Sequence, residues 1–189
     1  VCSHYGEIDG IVNDHKGFNY TNFGTIAHAY MEAVINNTEN ECPYSSKDII
    51  GLDGSKKDLE IIESVCEKMK TAFKASELGK AAMEAGWHKA EYTFRSRVAG
   101  KIISGSIDLV FENQDGTFTI VDYKTNQKIE PEIYYNQLAC YRQAVSQMMN
   151  VSCDKIKCCL YYLRFNEIRD ITEQCGKVDL EKAVNSIFE

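Results

Sequence analysis

The first part of the chain repeats its apolar residues at helical spacing. In residues 24–37 apolar side chains recur every three or four positions, which places them on one face of a helix. Residues 56–72 carry a narrower apolar stripe opposite a charged face, and a shorter helix is expected over residues 75–84. Residues 1–23 and 38–55 show no clear period. We expect a loop or an incomplete lead-in in the first of these, and a loop with at most one helical turn in the second.

After Gly86 the period changes from 3.6 to 2. The alternating runs WHKAEYTFRSRV, GKIISGSIDLVFEN and TFTIVDYKT predict three strands, and Asp115-Gly116 predicts a tight hairpin between the last two. Residues 131–149 return to helical spacing, with Pro131 near the first turn, where helices favour it. KIKCCLYYLRF and EIRDIT then predict a fourth and a fifth strand, and residues 178–188 a closing helix.

This order of elements predicts an α/β or α+β fold with a mixed central sheet flanked by helices. We expect one domain over residues 1–189, in which 1–86 form a mainly helical lead-in and 87–189 form the sheet and its helices. Apolar residues make up 44% of the chain and charged residues 26%, an ordinary balance for a globular domain. No run approaches the ~18 consecutive apolar residues of a membrane span.

Net charge and cysteine content limit how the protein could bind nucleic acid and indicate its cellular compartment. The net charge of −7 argues against a protein that coats nucleic acid by bulk attraction, yet permits an enzyme that holds DNA locally. The eight cysteines include no C-x-x-C pair, and a chain with this much apolar core needs no disulfides, so we expect reduced thiols in the cytoplasm. The chain begins at Val1 without a signal peptide or an initiator Met, which suggests an excised domain or a processed chain.

Two acidic residues occupy predicted strands that are otherwise apolar. Asp108 lies in GSIDLVF and Asp122 in TIVDYKT, and the hairpin brings both to the same end. A buried carboxylate is costly unless it is paired or bound, and two converging carboxylates form a hard-oxygen site suited to Mg²⁺. Lys124 follows Asp122 by two residues, so both side chains point to one face of the strand. A purely structural alternative to a metal site remains open: Asp108 and Lys124 could form a surface salt bridge on the hairpin.

Four segments resemble the RecB-type branch of the PD-(D/E)xK nucleases, most closely the nuclease domain of the helicase subunit in AddAB-type recombination enzymes. The segments are GTIAHAYME, GSIDLVF, IVDYKT and YYNQLACY, in the family's order from Gly24 to Tyr141. The resemblance implies a restriction-endonuclease-like fold and a metal-dependent nuclease. Its motifs assign metal binding to His28, Asp108, Asp122 and the carbonyl of Tyr123, catalysis to Asp108, Asp122 and Lys124, and substrate binding to Gln137 and Tyr141.

Each of these roles has an alternative from the residues alone. A single His on an amphipathic helix, as at His28, is more often packed or exposed than a ligand. Gln137 and Tyr141 lie four apart on one helix face and could merely cap the sheet. Glu91 resembles an acid that precedes the hairpin in relatives and is a candidate auxiliary residue. An exposed, solvated position on the strand explains this residue equally well. Arg95 and Arg97 could meet phosphates or form an exposed polar face.

The resemblance also sets expectations for cofactors and partners. It implies Mg²⁺, with Mn²⁺ able to substitute, and DNA as substrate in double-strand break repair. One family variant holds an iron–sulfur cluster on four cysteines, three of them as C-x₂-C-x₅-C; this chain lacks that spacing, so we expect no cluster. We also expect no zinc, for example at Cys2 and His4.

The chain has no G-x-x-x-x-G-K-[ST] P-loop. We therefore expect the helicase domain elsewhere in the parent protein, with a second nuclease subunit as partner. Two other functions stay open: a stand-alone phage or CRISPR-type nuclease, and an inactive nuclease fold that binds DNA or bridges subunits.

Overall fold

Five strands form one mixed sheet whose spatial order follows the chain. The computed structural model describes residues 3–187, with the side chains of residues 6–186. The strands are β1 (His88–Val98), β2 (Lys101–Glu112), β3 (Phe118–Lys124), β4 (Ile156–Tyr162) and β5 (Glu167–Asp170). β3 and β4 pair in parallel, and the other neighbours pair antiparallel. The α/β class with a mixed central sheet is therefore confirmed.

Helices cover both faces of this sheet. They are α1 (Ser3–Asp14), α2 (Tyr20–Ile35), α3 (Lys56–Ala75), α4 (Glu77–Glu84), α5 (Tyr135–Met149), α6 (Thr172–Gly176) and α7 (Leu180–Ile187). A short 3₁₀ turn, Pro131–Tyr134, leads into α5, and a second one, Cys153–Lys155, precedes β4. Parallel strands need a long crossover, and α5 supplies it between β3 and β4.

Two apolar clusters lie on opposite sides of the sheet. One packs α1, α2 and α3 against the face that carries Leu109, Val121 and Tyr123. The other packs α5 and α7 against the face that carries Val110, Ile120 and Leu160. We call these the α2 side and the α5 side. Neighbouring strand residues alternate between them, as a sheet buried on both faces requires.

Three expectations about element boundaries were wrong. From Ser3 onward the segment of residues 1–23 is not a loop, because α1 forms there and buries Ile8 and Ile11, an apolar pattern too sparse to reveal a period. Helix α2 begins at Tyr20 rather than Gly24, because Asn19 caps it by accepting hydrogen bonds from the amides of Thr21 and Asn22. The fifth strand ends at Asp170, and α6 starts at Thr172 instead of continuing the strand.

The remaining elements match their predicted positions within a few residues. The helices over 56–72 and 75–84, the three strands after Gly86 and the hairpin at Asp115-Gly116 are confirmed. Among the described residues, no helix combines the length and the apolar content needed to cross a membrane.

Candidate active site

Asp108 and Asp122 meet where the β2–β3 pairing ends. Leu109 pairs with Val121, so one further step along the register sets Asp108 opposite Asp122. The turn that joins these strands lies at the other end of the hairpin. Asp108 does not continue the ladder, because its Oδ2 accepts the amide N–H of Tyr123 at 2.6 Å. Its side chain thus takes the place of a backbone acceptor and is fixed against the end of β3.

His28 reaches this point from α2. Its Nε2 donates to the carbonyl oxygen of Tyr123 at 3.1 Å, and its Nδ1 lies 3.6 Å from Oδ2 of Asp108. Helix α2 can approach so closely because Gly24, one turn before His28, has no side chain. A Cβ at Gly24 would lie 3.2 Å from Oγ1 of Thr125, the residue that follows Lys124.

Glu91 completes a cluster with His28 and Asp108. One ligand atom from each of these three residues lies within 4.8 Å of the other two. Glu91 sits opposite Asp108, between the pairs Ala90–Leu109 and Tyr92–Ile107. Its backbone has φ +45°, which is unusual for a residue with a side chain and more so inside a strand. Ser106 Oγ donates to Oε2 of Glu91 at 3.0 Å and orients the carboxylate.

The β1–β2 ribbon turns over at Glu91 and Asp108. Residues two apart normally point to the same face of a sheet. Here Ala90 and Leu109 pack on the α2 side, whereas Tyr92 and Ile107 pack on the α5 side. The register is the same before and after this point. The left-handed backbone of Glu91 marks the place where the ribbon changes face, and it brings two carboxylates to that place.

Lys124 is held beside the carboxylates by two contacts. Its ammonium forms an ion pair with Oδ2 of Asp122, which is only 5% exposed. On its other side, Nζ lies 3.8 Å from the centre of the Tyr134 ring, a cation–π contact. Tyr134 belongs to the 3₁₀ turn before α5 and was not identified from the sequence. An aromatic residue shortly before Gln137 was its only signal.

Burial and mutual repulsion shift the titration of the cluster. Burial, reinforced by the neighbouring charge of Asp122, raises the pKa of Asp108 well above its usual range. Burial also lowers the pKa of His28, although the charges of Asp122 and Glu91 oppose this. The imidazole is therefore neutral at physiological pH, the state in which His binds a metal. Asp108 retains a proton more readily than a free carboxyl until a cation offsets the repulsion.

Glu32 is a second residue that the sequence analysis missed. It lies one helical turn after His28 on α2, and burial raises its pKa, with the charge of Glu91 adding to the effect. Asn36 Nδ2 donates to its Oε1 at 3.3 Å. The signal was its position four residues after His28, which puts both on one helix face.

Gln137 and Tyr141 lie on α5 and contact each other. Gln137 Nε2 donates to the hydroxyl of Tyr141 at 2.9 Å, and the Tyr141 ring meets Phe94 edge to face at 5.3 Å. Burial raises the pKa of Tyr141, although the hydrogen bond from Gln137 opposes this. The ring of Tyr141 lies beside Gly105 of β2, three residues before Asp108. Tyr134, rather than either of them, covers Lys124.

The cysteines of the described chain are free thiols. Cys158 and Cys159 are adjacent on β4 and point to opposite faces, one into the α5 side and the other into the α2 side. The expectation about Cys2 and His4 falls on a residue and a side chain that lie outside the described part.

Comparison with known families agrees with this geometry. A family model described as the PD-(D/E)XK nuclease superfamily matches residues 4–185. A search of curated proteins finds no match. Nucleases of this superfamily use divalent metal ions, and a nuclease fold implies DNA binding. The match spans nearly the whole chain, and the chain therefore belongs to the PD-(D/E)XK nuclease superfamily.

Proposed function

We propose that this domain is a metal-dependent deoxyribonuclease. The metal would be Mg²⁺, with Mn²⁺ able to substitute. His28, Asp108, Asp122 and the carbonyl oxygen of Tyr123 would hold it, and Glu91 is an auxiliary ligand. The observation that carries the proposal is the cluster in which ligand atoms of His28, Glu91 and Asp108 all lie within 4.8 Å of one another.

The donor set fits a hard divalent cation. Carboxylates and a carbonyl oxygen are the donors that Mg²⁺ and Mn²⁺ prefer, and Mg²⁺ binds through few protein carboxylates. Asp108 is buried beside Asp122, and both effects raise its pKa, which supports a bound cation that would offset the two charges. The unusual backbone of Glu91 supports the same reading, because such strain is typical of functional sites.

A divalent cation held by these residues would supply the charge that polarises the phosphoryl oxygen and activates water for attack. The residues of the chain orient the reacting groups. The amide of Tyr123 fixes the Asp108 carboxylate, and the Tyr123 carbonyl fixes the ring of His28. Lys124, held between Asp122 and Tyr134, supplies a positive charge beside the phosphate that offsets the negative charge of the transition state.

Gln137 and Tyr141 are proposed to bind the substrate. Their hydrogen bond holds both polar groups on one face of α5, next to a cavity of about 420 Å³ that Phe94, Ile103 and Cys140 help to line. The position of the Tyr141 ring beside Gly105, three residues before Asp108 on β2, supports a contact close to the scissile phosphate.

A cleavage assay tests the proposed activity. Plasmid and single-stranded DNA are incubated with the protein in Mg²⁺, Mn²⁺, Ca²⁺ or EDTA, beside Lys124→Ala as a matched inactive control. We expect cutting in Mg²⁺ and Mn²⁺, and none in EDTA or with the variant. Cleavage that persists in EDTA would contradict the metal-dependent mechanism, and no cleavage under any condition would favour a binding module.

We further propose that the domain works as the nuclease module of a helicase–nuclease in double-strand break repair. Four motifs in the order of the RecB-type branch support this, together with the lack of a P-loop within these residues. A second nuclease subunit would then complete the enzyme. Sequencing the natural reading frame on both sides tests the idea. Helicase motifs upstream would support it, whereas a start codon directly before Val1 would favour a stand-alone nuclease.

A further inference from the structure

Beyond Glu91 and Asp108 the β1–β2 hairpin projects past the rest of the sheet. β3 pairs only with Leu109–Glu112 of β2 in the described ladder, so residues 92–107 extend further than their neighbour. We call residues 92–107 the arm. Its tip is a two-residue turn in which Ala99 (φ +46°) and Gly100 (φ +80°) both adopt the left-handed backbone of a type I′ hairpin.

One face of the arm is fixed to the body of the protein. Phe94, Val98 and Ile103 are buried on the α5 side. Gln147 of α5 clamps the edge twice: its Oε1 accepts from Ser96 Oγ at 2.6 Å, and its Nε2 donates to the carbonyl oxygen of Arg97 at 2.8 Å. The arm is therefore a firmly packed element and holds its outer face in a set position.

The outer face carries two arginines, and the arm itself contains no acidic residue. Thr93, Arg95 and Arg97 alternate along β1 with their side chains exposed, and Ser104 and Ser106 stand opposite Arg95 and Thr93 on β2. Residues 92–107 contain three cationic residues and no acidic one, in a chain of net charge −7. In the described part of the protein, neither Arg95 nor Arg97 forms an ion pair. Arg97 donates only to the carbonyl oxygen of Gly100, within the arm, at 3.2 Å.

The outer face begins at the candidate metal cluster. Because the ribbon turns over at Glu91, this face lies on the α2 side, from which His28 approaches the carboxylates. Arg95 is four residues from Glu91 and Arg97 is six, or about 13 Å and 20 Å along a strand. The Cα atoms of Arg95 and Arg97 are about 7 Å apart in an extended strand. This distance is comparable with the spacing of successive phosphates in an extended nucleic-acid strand. A polymer chain that passes through the candidate metal cluster must also pass over the surface beside it, and the outer face of the arm is part of that surface.

We propose that the outer face of the arm binds the phosphodiester backbone of the DNA next to the scissile bond, with Arg95 and Arg97 each contacting a phosphate. This inference rests on the proposed nuclease function and adds a second binding surface to it. Guanidinium groups suit phosphate oxygens because they donate two parallel hydrogen bonds, and the opposing serine hydroxyls can donate to the same backbone. The acidic cluster alone would repel DNA, so local positive charge beside it is needed to hold the substrate.

The test compares two double variants that remove the same charge. Arg95→Gln/Arg97→Gln changes the arm. Lys80→Gln/Lys157→Gln changes two exposed lysines that line a cavity at the β2–β3 turn, at the far end of the sheet. Binding of labelled single-stranded and duplex DNA is measured by fluorescence anisotropy at several salt concentrations, in a Lys124→Ala background that prevents cutting. Cleavage is measured separately with Lys124 intact.

We expect the arm variant to bind DNA about tenfold more weakly at ~0.1 M salt, with the control unchanged. The slope of log affinity against log salt should fall in magnitude by about 1.4 for single strands or about 1.8 for duplex, as two lost phosphate contacts predict. Cleavage at saturating DNA should keep its rate, with more DNA needed to saturate.

Two results would overturn the arm proposal alone: a parent that cuts DNA while the arm variant binds like the parent, or equal losses in both double variants, which would indicate bulk charge. A parent that neither cuts nor binds DNA would refute the nuclease function itself. An arm that instead contacts an acidic protein would show up as the first of these results.

Discussion

Glu91 and Asp108 stand opposite each other on neighbouring strands at the point where the β1–β2 ribbon changes face. The register places them together, and Glu91 adopts φ +45° there. A left-handed backbone costs a residue with a side chain about 1–2 kcal/mol. This arrangement therefore lowers the stability of the fold while it brings two carboxylates together. Substitutions can separate the backbone strain from the effect of the grouped charges.

Replacing Glu91 by Gly should leave the metal-free protein as stable as the parent or more stable by about 1 kcal/mol. The change removes the left-handed strain and one charge from a crowded acidic site, which offsets the ~0.5–1 kcal/mol that Gly normally costs in a strand. Thr93→Gly, two residues along at ordinary φ, is the matched control and should lose about 1 kcal/mol. Urea unfolding in EDTA measures both. Equal losses would contradict the strain at Glu91.

Asp108→Asn should stabilise the protein without metal at neutral pH. A carboxyl whose pKa is raised on folding costs stability above its unfolded pKa of about 3.9, and the cost grows until the pH passes the raised folded value. Asn keeps an oxygen that can accept from Tyr123 and carries no charge. The gain should therefore be present at pH 8 and vanish towards pH 4.

Thermal melts in EDTA across this pH range test the prediction, with Asp53→Asn in an exposed turn as control. Adding Mg²⁺ should reverse the order, since the parent gains stability by binding the ion and the variant does not. A variant that melts below the parent at pH 8 in EDTA would show that the carboxylate is well compensated in the fold.

The strands and the acids on them could be predicted because both follow from local alternation. Asp108 and Asp122 interrupt apolar runs, and the Asp115-Gly116 turn fixes their common end. The face change at Glu91 could not be predicted. It becomes visible only when the structure shows that the residues on either side of Glu91 pack into different apolar clusters. The position of Tyr134 over Lys124 was also hidden, since it depends on how the chain returns over the sheet before α5.

The closeness of α2 to the active site predicts that Gly24→Ala lowers activity without raising stability. Gly→Ala inside a helix normally stabilises by about 1 kcal/mol. Here the new Cβ would lie 3.2 Å from Oγ1 of Thr125, so either α2 or the residue after Lys124 must move. A shift of this kind should cost about tenfold or more in cleavage rate.

Gly10→Ala in α1 is the control, because a Cβ there has no neighbour within 4 Å. This variant should gain up to ~1 kcal/mol and cut normally. Adding Thr125→Ala to Gly24→Ala should restore the missing stability, because it removes the opposing atom. If Gly24→Ala alone gains as much as Gly10→Ala, the helix can move freely and the close contact has no effect on the site.

Lys124→Ala and Asp122→Ala should both abolish cleavage, but by different routes. Asp122→Ala removes a proposed ligand, so metal affinity and rate should fall together. Lys124 is not a ligand. Its loss leaves Asp122 buried without its partner, which should weaken the metal-free protein by about 3 kcal/mol and leave metal binding normal or tighter, because a competing positive charge has gone. The rate should still fall ~10²-fold or more, since Lys124 acts on the phosphate.

Calorimetric Mg²⁺ titration and single-turnover cleavage, run on both variants beside the parent, separate these routes. Thermal melts with and without Mg²⁺ check that each variant folds, and the ion should restore more stability to Lys124→Ala than to Asp122→Ala. The decisive result is the contrast between the two variants. Lys124→Ala should lose cleavage rate but keep its metal affinity, whereas Asp122→Ala should lose both. A Lys124→Ala variant that cuts as fast as the parent would instead make the ion pair structural and the domain a binding module.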